Sequence, residues 1–420
     1  MSSYSGLERH ISRLLSRFPG AKRVIKSLYS RLVFLKEKKT YSFKSLKIPT
    51  SYECGEKESF FGYYDKSPVN NKGWVLAQLS SRSTKKKPEA GHDALEIAVF
   101  NNKKELLLSI PIYAYNWQQG CRAHWLDDNL FIFNDFDSRI GHYVARVYSV
   151  SDKKQVKIFN YPVQDSFHKN YFISLNYRRL MSLRPDYGYR NLSNCSQHEL
   201  NVLDNDGLWR IEYETGEANL LIKLSDACKI KFLSEFSQAV HKFNHVMISP
   251  AGKYFIFMHR YFLGQRRFDR LLLADAETGE MKLLNDYGMV SHCFWVNDST
   301  VLGYMRGPEK KDGYWFIDIE SGQYSGFAHE KMSGYGDGHP HVVGDWFVTD
   351  TYPDKARMQH LLLCNWKTGD VKEIGEFFHG FDYAGETRCD LHPRMSRDGK
   401  TIFFDSVFSG QRKLYQMEMF

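Results

Sequence analysis

From about residue 50 onward, apolar positions fall in short alternating runs separated by turn residues, and no long helical stripe interrupts them. Four segments share one grammar: NHVMISPAGKYFIFMH, SHCFWVNDSTVLGYM, GHPHVVGDWFVTDT and LHPRMSRDGKTIFFDS. Each opens a short strand on a histidine, turns at Pro-Ala-Gly, Asn-Asp, Gly-Asp or Arg-Asp-Gly, and returns as a strand rich in Phe, Val and Ile. The histidines are His245, His292, His339 and His392, at intervals of 47, 47 and 53 residues. Further hairpins such as LLLADAETGEMKLL lie between them. That is the pattern of a four-stranded blade, which cannot cover both of its faces alone and therefore stacks in a ring. Weaker copies begin near Phe60, Cys121 and His168, giving seven units, with six or eight as the neighbouring counts. A long insertion, roughly residues 185–235, is expected between the third and fourth. The predicted fold class is all-β, a seven-bladed β-propeller over residues 50–420 with a short α-helical N-terminal extension.

The extension, residues 1–45, has a different period. Leu7, Ile11, Leu14, Leu15 and Phe18 recur at helical spacing, and after Pro19-Gly20 so do Val24, Ile25, Leu28, Leu32 and Leu35. Basic residues interleave both sets, which predicts two basic amphipathic helices broken at the Pro-Gly turn. They suit either adhesion to an anionic inner-membrane surface or packing on the propeller or a partner.

Charge sharpens this division. The first 50 residues carry 12 Lys or Arg against Glu8 and Glu37, so the chain's net +8 leaves about −2 for the remainder. The main domain has no basic footprint for nucleic acid, and no nucleic-acid partner is expected. Seven irregularly spaced cysteines without a CxxC pair argue against a disulfide framework. Basic residues interrupt every apolar run of the first thirty, so neither an export signal nor a spanning helix is expected. The expected location is cytoplasmic, peripheral on the inner membrane.

In a propeller the innermost strands surround one axis, so His245, His292, His339 and His392 are expected to approach one another. They form a candidate site for a divalent ion (Zn, Mn or Ca), structural or catalytic, with His341 two residues beyond His339 as a fifth ligand. Cys293 and Cys389 are nearby thiolate candidates. The bland alternative is that each imidazole satisfies its own blade.

A second polar constellation holds His124, His142, Arg178, Tyr187, Tyr189, Arg190 and Arg210. These residue types suit β-elimination at a uronic acid. Arginine or a metal neutralises the carboxylate, histidine or tyrosinate removes the acidified proton, and a tyrosine protonates the departing oxygen. Tyr and Arg are also ordinary blade-packing residues.

The phrases FFGYYDKSP, NWQQGC, RPDYGY, DGLWRIEYETGE, GDGHPHVVGDWFVTDTYPD and RCDLHPRMSRDGKTIFFDS resemble seven-bladed polysaccharide lyases, namely the ulvan lyases and more distantly oligogalacturonate lyase. The resemblance implies a lyase acting on an acidic, uronate-containing polysaccharide. It implies His124, His142, Tyr189 (or Tyr187) and Arg210 as catalytic residues, Tyr187, Arg190 and Arg178 as substrate contacts, and a metal site among His245, His292, His339, His341 and His392. The basic N-terminal segment suggests a place beside capsule or O-antigen assembly. The alternative is a non-catalytic glycan-binding or assembly scaffold at the membrane.

Overall fold

The computed structural model describes residues 19–89 and 93–419. Seven antiparallel sheets form the blades, at residues 58–112, 124–159, 165–223, 240–288, 290–326, 341–378 and 394–418. This is the seven-bladed propeller that the repeat predicts.

The ring is closed by the N-terminal end of the propeller. Blade 7 supplies three strands of its own, and its outermost strand is β2 (Thr50–Ser51), paired antiparallel with Lys413–Glu418. Just before it, β1 (Phe43–Ser45) adds a fifth strand to the rim of blade 6, Phe43 standing opposite Phe377. The sequence reading placed Phe43–Ser45 in the helical extension; a strand this short carries no period of its own. Tyr52 seals the seam: it is 3% exposed, donates its backbone N–H to the Leu414 carbonyl (2.9 Å) and packs on Phe100 and Phe403.

Apolar faces of neighbouring blades make the core. Val348 and Leu361 of blade 6 meet Met395, Ile402 and Phe404 of blade 7, and Leu302 and Tyr314 of blade 5 meet Phe347 and Leu362 of blade 6. Through these faces runs a polar device. At four of the seven junctions the second strand of one blade carries a buried side chain that accepts from the backbone entering the next. Gln78 accepts from Cys121 N–H (2.9 Å), Asn134 from Val163 N–H (2.6 Å), and Asp350 from His392 N–H (3.0 Å). Asp405 closes the circle on Phe61 and Gly62 N–H (3.0 and 2.9 Å). Each latch satisfies backbone donors that would otherwise cost about 1–3 kcal/mol apiece when buried.

The expected insertion is split and displaced. Its first part, α2 (Tyr177–Leu183) and α3 (Gln197–Asn201), lies inside blade 3, between the second strand Tyr171–Leu175 and the third, Gly207–Glu212. Its second part, α4 (Leu224–Lys229) and the turn Ser234–Gln238, bridges blades 3 and 4. Buried Arg179 of α2 ties the first part together and onto the inner strand of blade 4. Its guanidinium donates to the carbonyls of Glu199, Leu200 and Val202, to the His241 carbonyl and to Asp206.

Among the described residues the helix α1 covers Pro19–Glu37. The helix expected through Phe18 lies outside the described residues. Phe34 docks α1 against Phe378 and Phe381 (ring centroids 5.8 and 5.4 Å), while Ile25, Leu28, Leu32 and Leu35 are 44–67% exposed. Among the described residues no helix is long and apolar enough to cross a membrane.

Closure and the helix are separable. Tyr52→Ala is expected to lower unfolding stability by about 3–5 kcal/mol, read by denaturant titration. Phe34→Ala is expected to leave the midpoint of the propeller unchanged.

Candidate functional site

The channel head is built where inner strands break register. His245 takes a left-handed φ of +53° where the strand Val240–Ile248 slips between Asn244 and Met247, and His392 takes +43° just before blade 7. Such conformations cost about 1–2 kcal/mol each for a residue with a side chain, and they re-aim it. The four histidine rings follow one another in an arc. Ring centroids lie 5.6 Å apart from His245 to His292, 4.0 Å from His292 to His339 and 4.3 Å from His339 to His392. Tyr63 and Tyr64 fill the space inside. Tyr63 lies 5.4 and 5.1 Å from His245 and His392, and Tyr64 lies 5.6 and 5.4 Å from His292 and His339.

The tautomers at one end of the arc follow from the hydrogen bonds. His339 Nδ1 lies 2.7 Å from Asp350 Oδ1, and His392 Nδ1 lies 2.7 Å from the Gly62 carbonyl, so each donates from Nδ1. Their Nε2 atoms are left buried with no partner. A ring nitrogen of each histidine and a carboxylate oxygen of Asp390 lie within 4.8 Å of one another, a spacing that suits a divalent cation. Burial works against a charge on Asp390, but Arg388, bonded at 2.7 Å, and His339 hold its carboxyl below the usual range. Burial pushes His245 and His392 well below the ordinary imidazole range and His292 down to about 4, so these three are neutral. For His339 burial is outweighed by the Asp350 carboxylate, which raises its affinity for a proton or a cation.

Cationic and aromatic groups surround the arc. Half-buried Tyr352 lies 5.9 Å from His339, with the Arg388 guanidinium 5.3 Å over its ring. Tyr187 stands edge-on to His245 at 5.6 Å, with Arg184 4.8 Å over it. Lys242, three residues before His245, is 1% exposed with no partner for Nζ, and both amide atoms of Asn244 are likewise unpartnered. Burial first, then Arg260 and Arg184, drives the Lys242 pKa far down, so its amine is neutral.

The other sequence candidates lie elsewhere. His341 donates to the Tyr64 carbonyl (2.7 Å) and packs on Phe294, outside the arc. Cys293 and Cys389 are buried thiols whose pKa burial raises to about 12. The expected catalytic quartet is dispersed. His124 bonds to Ser166 Oγ (2.7 Å) and lines a cavity with Lys66 and Arg397. His142 is exposed and lines a different cavity with Arg178 and Trp209. Tyr189 is fully buried, stacked on Tyr177 and bonded to Asn134. Arg210 pairs with Glu212 (2.5 Å) and stacks on Tyr171. Among the expected substrate contacts, Arg178 pairs with Glu199, Arg190 with Glu386, and Tyr187 alone reaches the arc. Sequence reading missed Asp350, Asp390, Lys242, Arg184, Arg388 and Tyr352.

Comparison with protein families and with curated proteins gives no match. Among solved structures, an oligogalacturonate lyase in complex with manganese is similar to this chain at TM-score 0.59 and 12% identity, covering 90% of this chain and 94% of that one. The oligogalacturonate lyase of Vibrio parahaemolyticus gives the same TM-score and identity over 90% and 97%. The β-propeller domain of the Trilobed protease from Pyrococcus furiosus is similar at 0.50 and 11% over 85% and 95%. At these identities the likeness is one of fold.

Asp350→Asn removes the negative charge that His339 Nδ1–H points to and turns one of the two accepting oxygens into a donor. Calorimetric titration with Mn²⁺ is expected to show affinity about 10–100-fold weaker than wild type, the usual effect of losing such a partner.

Proposed function

We propose that the protein is a lyase cleaving a uronic-acid-containing glycan by β-elimination at the channel head. One observation carries the reading: His339 Nε2, His392 Nε2, Lys242 Nζ and the Asn244 amide are buried polar atoms without partners, gathered around the inner strands. A folded protein leaves such atoms bare where a ligand takes them. The fold likeness to oligogalacturonate lyase and the sequence phrases resembling ulvan lyases support the same substrate class.

The roles follow from charge and protonation. Arg388 and Arg184 bind and orient the substrate carboxylate. A divalent cation held by His339, Asp390 and His392 would supply a Lewis acid at that carboxylate, making the adjacent C5–H more acidic. Lys242, a neutral amine, takes this proton. The C–H electron pair becomes the new C4–C5 double bond as the C4–O bond breaks. Tyr352, kept protonated by burial beside Asp337 and Asp390, gives its proton to the departing oxygen. The dispersed His124, His142, Tyr189 and Arg210 have no part in this scheme.

We further propose that α1 holds the protein on an anionic membrane at its cytoplasmic face, beside capsule or O-antigen assembly. Its docked side is Phe34, its free side is the apolar row Ile25, Leu28, Leu32 and Leu35, and its only acid is Glu37. Seven unpaired cysteines, five of them buried, agree with a reducing compartment.

Metal-loaded protein incubated with uronate polymers is expected to give the ultraviolet absorbance of an unsaturated product. Lys242→Met should lower turnover about 10²–10⁴-fold while retaining Mn²⁺ binding, and His142→Ala should change little. Because the base works deprotonated and its pKa is depressed, wild-type turnover should hold at neutral pH and fall as acidification protonates Lys242. Glycan binding without product from any polymer would leave a scaffold and end the lyase reading. For the membrane, Leu28→Asp with Leu32→Asp is expected to abolish sedimentation with phosphatidylglycerol vesicles, and unchanged sedimentation refutes the docking.

A further inference from the structure

On the other side of blade 4 from Lys242 lies a cluster that the lyase reading does not use. In the inner strand Val240–Ile248, His241 stands opposite Tyr261 and Phe243 opposite His259. His241 and His259 are therefore diagonal neighbours on one face, while Lys242 and Arg260 share the opposite face. Cys228, near the end of α4, comes down onto that pair from the excursion between blades 3 and 4.

We propose that Cys228, His241 and His259 bind a zinc ion, forming a metal site separate from the histidine arc. One thiolate and two imidazoles favour a borderline-soft ion, whereas the two imidazoles and a carboxylate at the channel head suit harder ones.

The geometry is close to that of a bound tetrahedral ion. Zinc bonds of about 2.3 Å to sulfur and 2.0 Å to nitrogen place the ligand atoms about 3.5 Å apart for S···N and 3.3 Å for N···N. Here Cys228 Sγ lies 3.5 Å from His241 Nδ1, and His241 Nδ1 lies 2.9 Å from His259 Nε2. The two rings need to part by only a few tenths of an ångström. His241 is preset: its Nε2 lies 2.9 Å from the Phe236 carbonyl and donates to it, which leaves the Nδ1 lone pair facing the other two ligands. Both histidines are fully buried and Cys228 is 9% exposed, with Phe236 edge-on to both imidazoles as a lid.

Burial lowers both imidazoles and raises the Cys228 thiol to about 11, so without metal the set is neutral. On binding, the thiol proton leaves to solvent and the His259 hydrogen moves from Nε2 to Nδ1. Zinc then sits against one thiolate and two neutral rings. Arg270, which spans His259 Nδ1 and the carbonyls of Ala227 and Ile230, turns wholly onto those carbonyls. The fourth position falls to water. The ion would clasp residues 224–239 onto blade 4, next to the Arg179 bond to the His241 carbonyl.

Cobalt reports this site selectively, because a thiolate ligand gives Co²⁺ an intense near-ultraviolet charge-transfer band that imidazole and carboxylate do not. Metal-stripped full-length protein titrated with Co²⁺ is expected to gain one such band, bleached by excess Zn²⁺. It should be lost in Cys228→Ser and in His259→Gln, and kept in the His339→Ala/His392→Ala double variant. Absence of the band in folded wild type, or its persistence in Cys228→Ser, overturns the proposal. If Cys228→Ser fails to fold, the wild-type titration and His259→Gln decide. None of these results depends on lyase activity.

Discussion

At the junctions of blades 1–2, 2–3, 6–7 and 7–1, one blade holds its neighbour by handing a buried polar side chain from its second strand to the backbone that enters the next blade. Apolar stacking supplies most of the favourable free energy, but it is nondirectional and would tolerate sliding between sheets. Gln78, Asn134, Asp350 and Asp405 do not tolerate it, because a shift strands both the side chain and the N–H groups it satisfies. Asp350 does two things at once. One oxygen fixes the entry to blade 7 at His392, and the other takes both the backbone and the ring of His339. The part that sets the ring's geometry is the part that orients two of the site's imidazoles.

The chemistry of the channel head follows from removing water around groups that ordinarily need it. Three imidazoles and a lysine lose their charge there, while Asp390 keeps its own through Arg388 and His339. A site that mixes neutral bases, a fixed carboxylate and permanent guanidinium charges has its protonation states set before any ligand arrives. Backbone strain at His245 and His392 is held in place by the blades on either side, a cost that packing elsewhere offsets.

Much of the architecture was legible because a repeat multiplies a weak signal. Four histidines at near-constant spacing implied a common axis, and their rings do meet there. What failed had no repetition to support it. The strand pairs of Phe43–Ser45 and Thr50–Ser51 are too short to show a period and depend on partners more than 300 residues away. The insertion was misplaced because α2 and α3 are anchored by Arg179, a contact with no sequence signature. Among polar candidates, residue type outweighed position: His124, Tyr189 and Arg210 have suitable chemistry, yet each bonds within its own neighbourhood, and exposed His142 lines a separate cavity. Lys242 was overlooked for the converse reason, since a lysine in a strand ordinarily reaches solvent.

The seam at blade 7 also constrains how the protein is made. A ribosome releases Thr50–Ser51 early and their strand partner among the described residues, Lys413–Glu418, more than 300 residues later. Until that strand emerges, the nascent chain is an open stack whose first blade lacks the neighbour that covers it. A chain that stops before Lys413–Glu418 is left as a gapped arc with bare apolar sheet faces rather than a smaller ring.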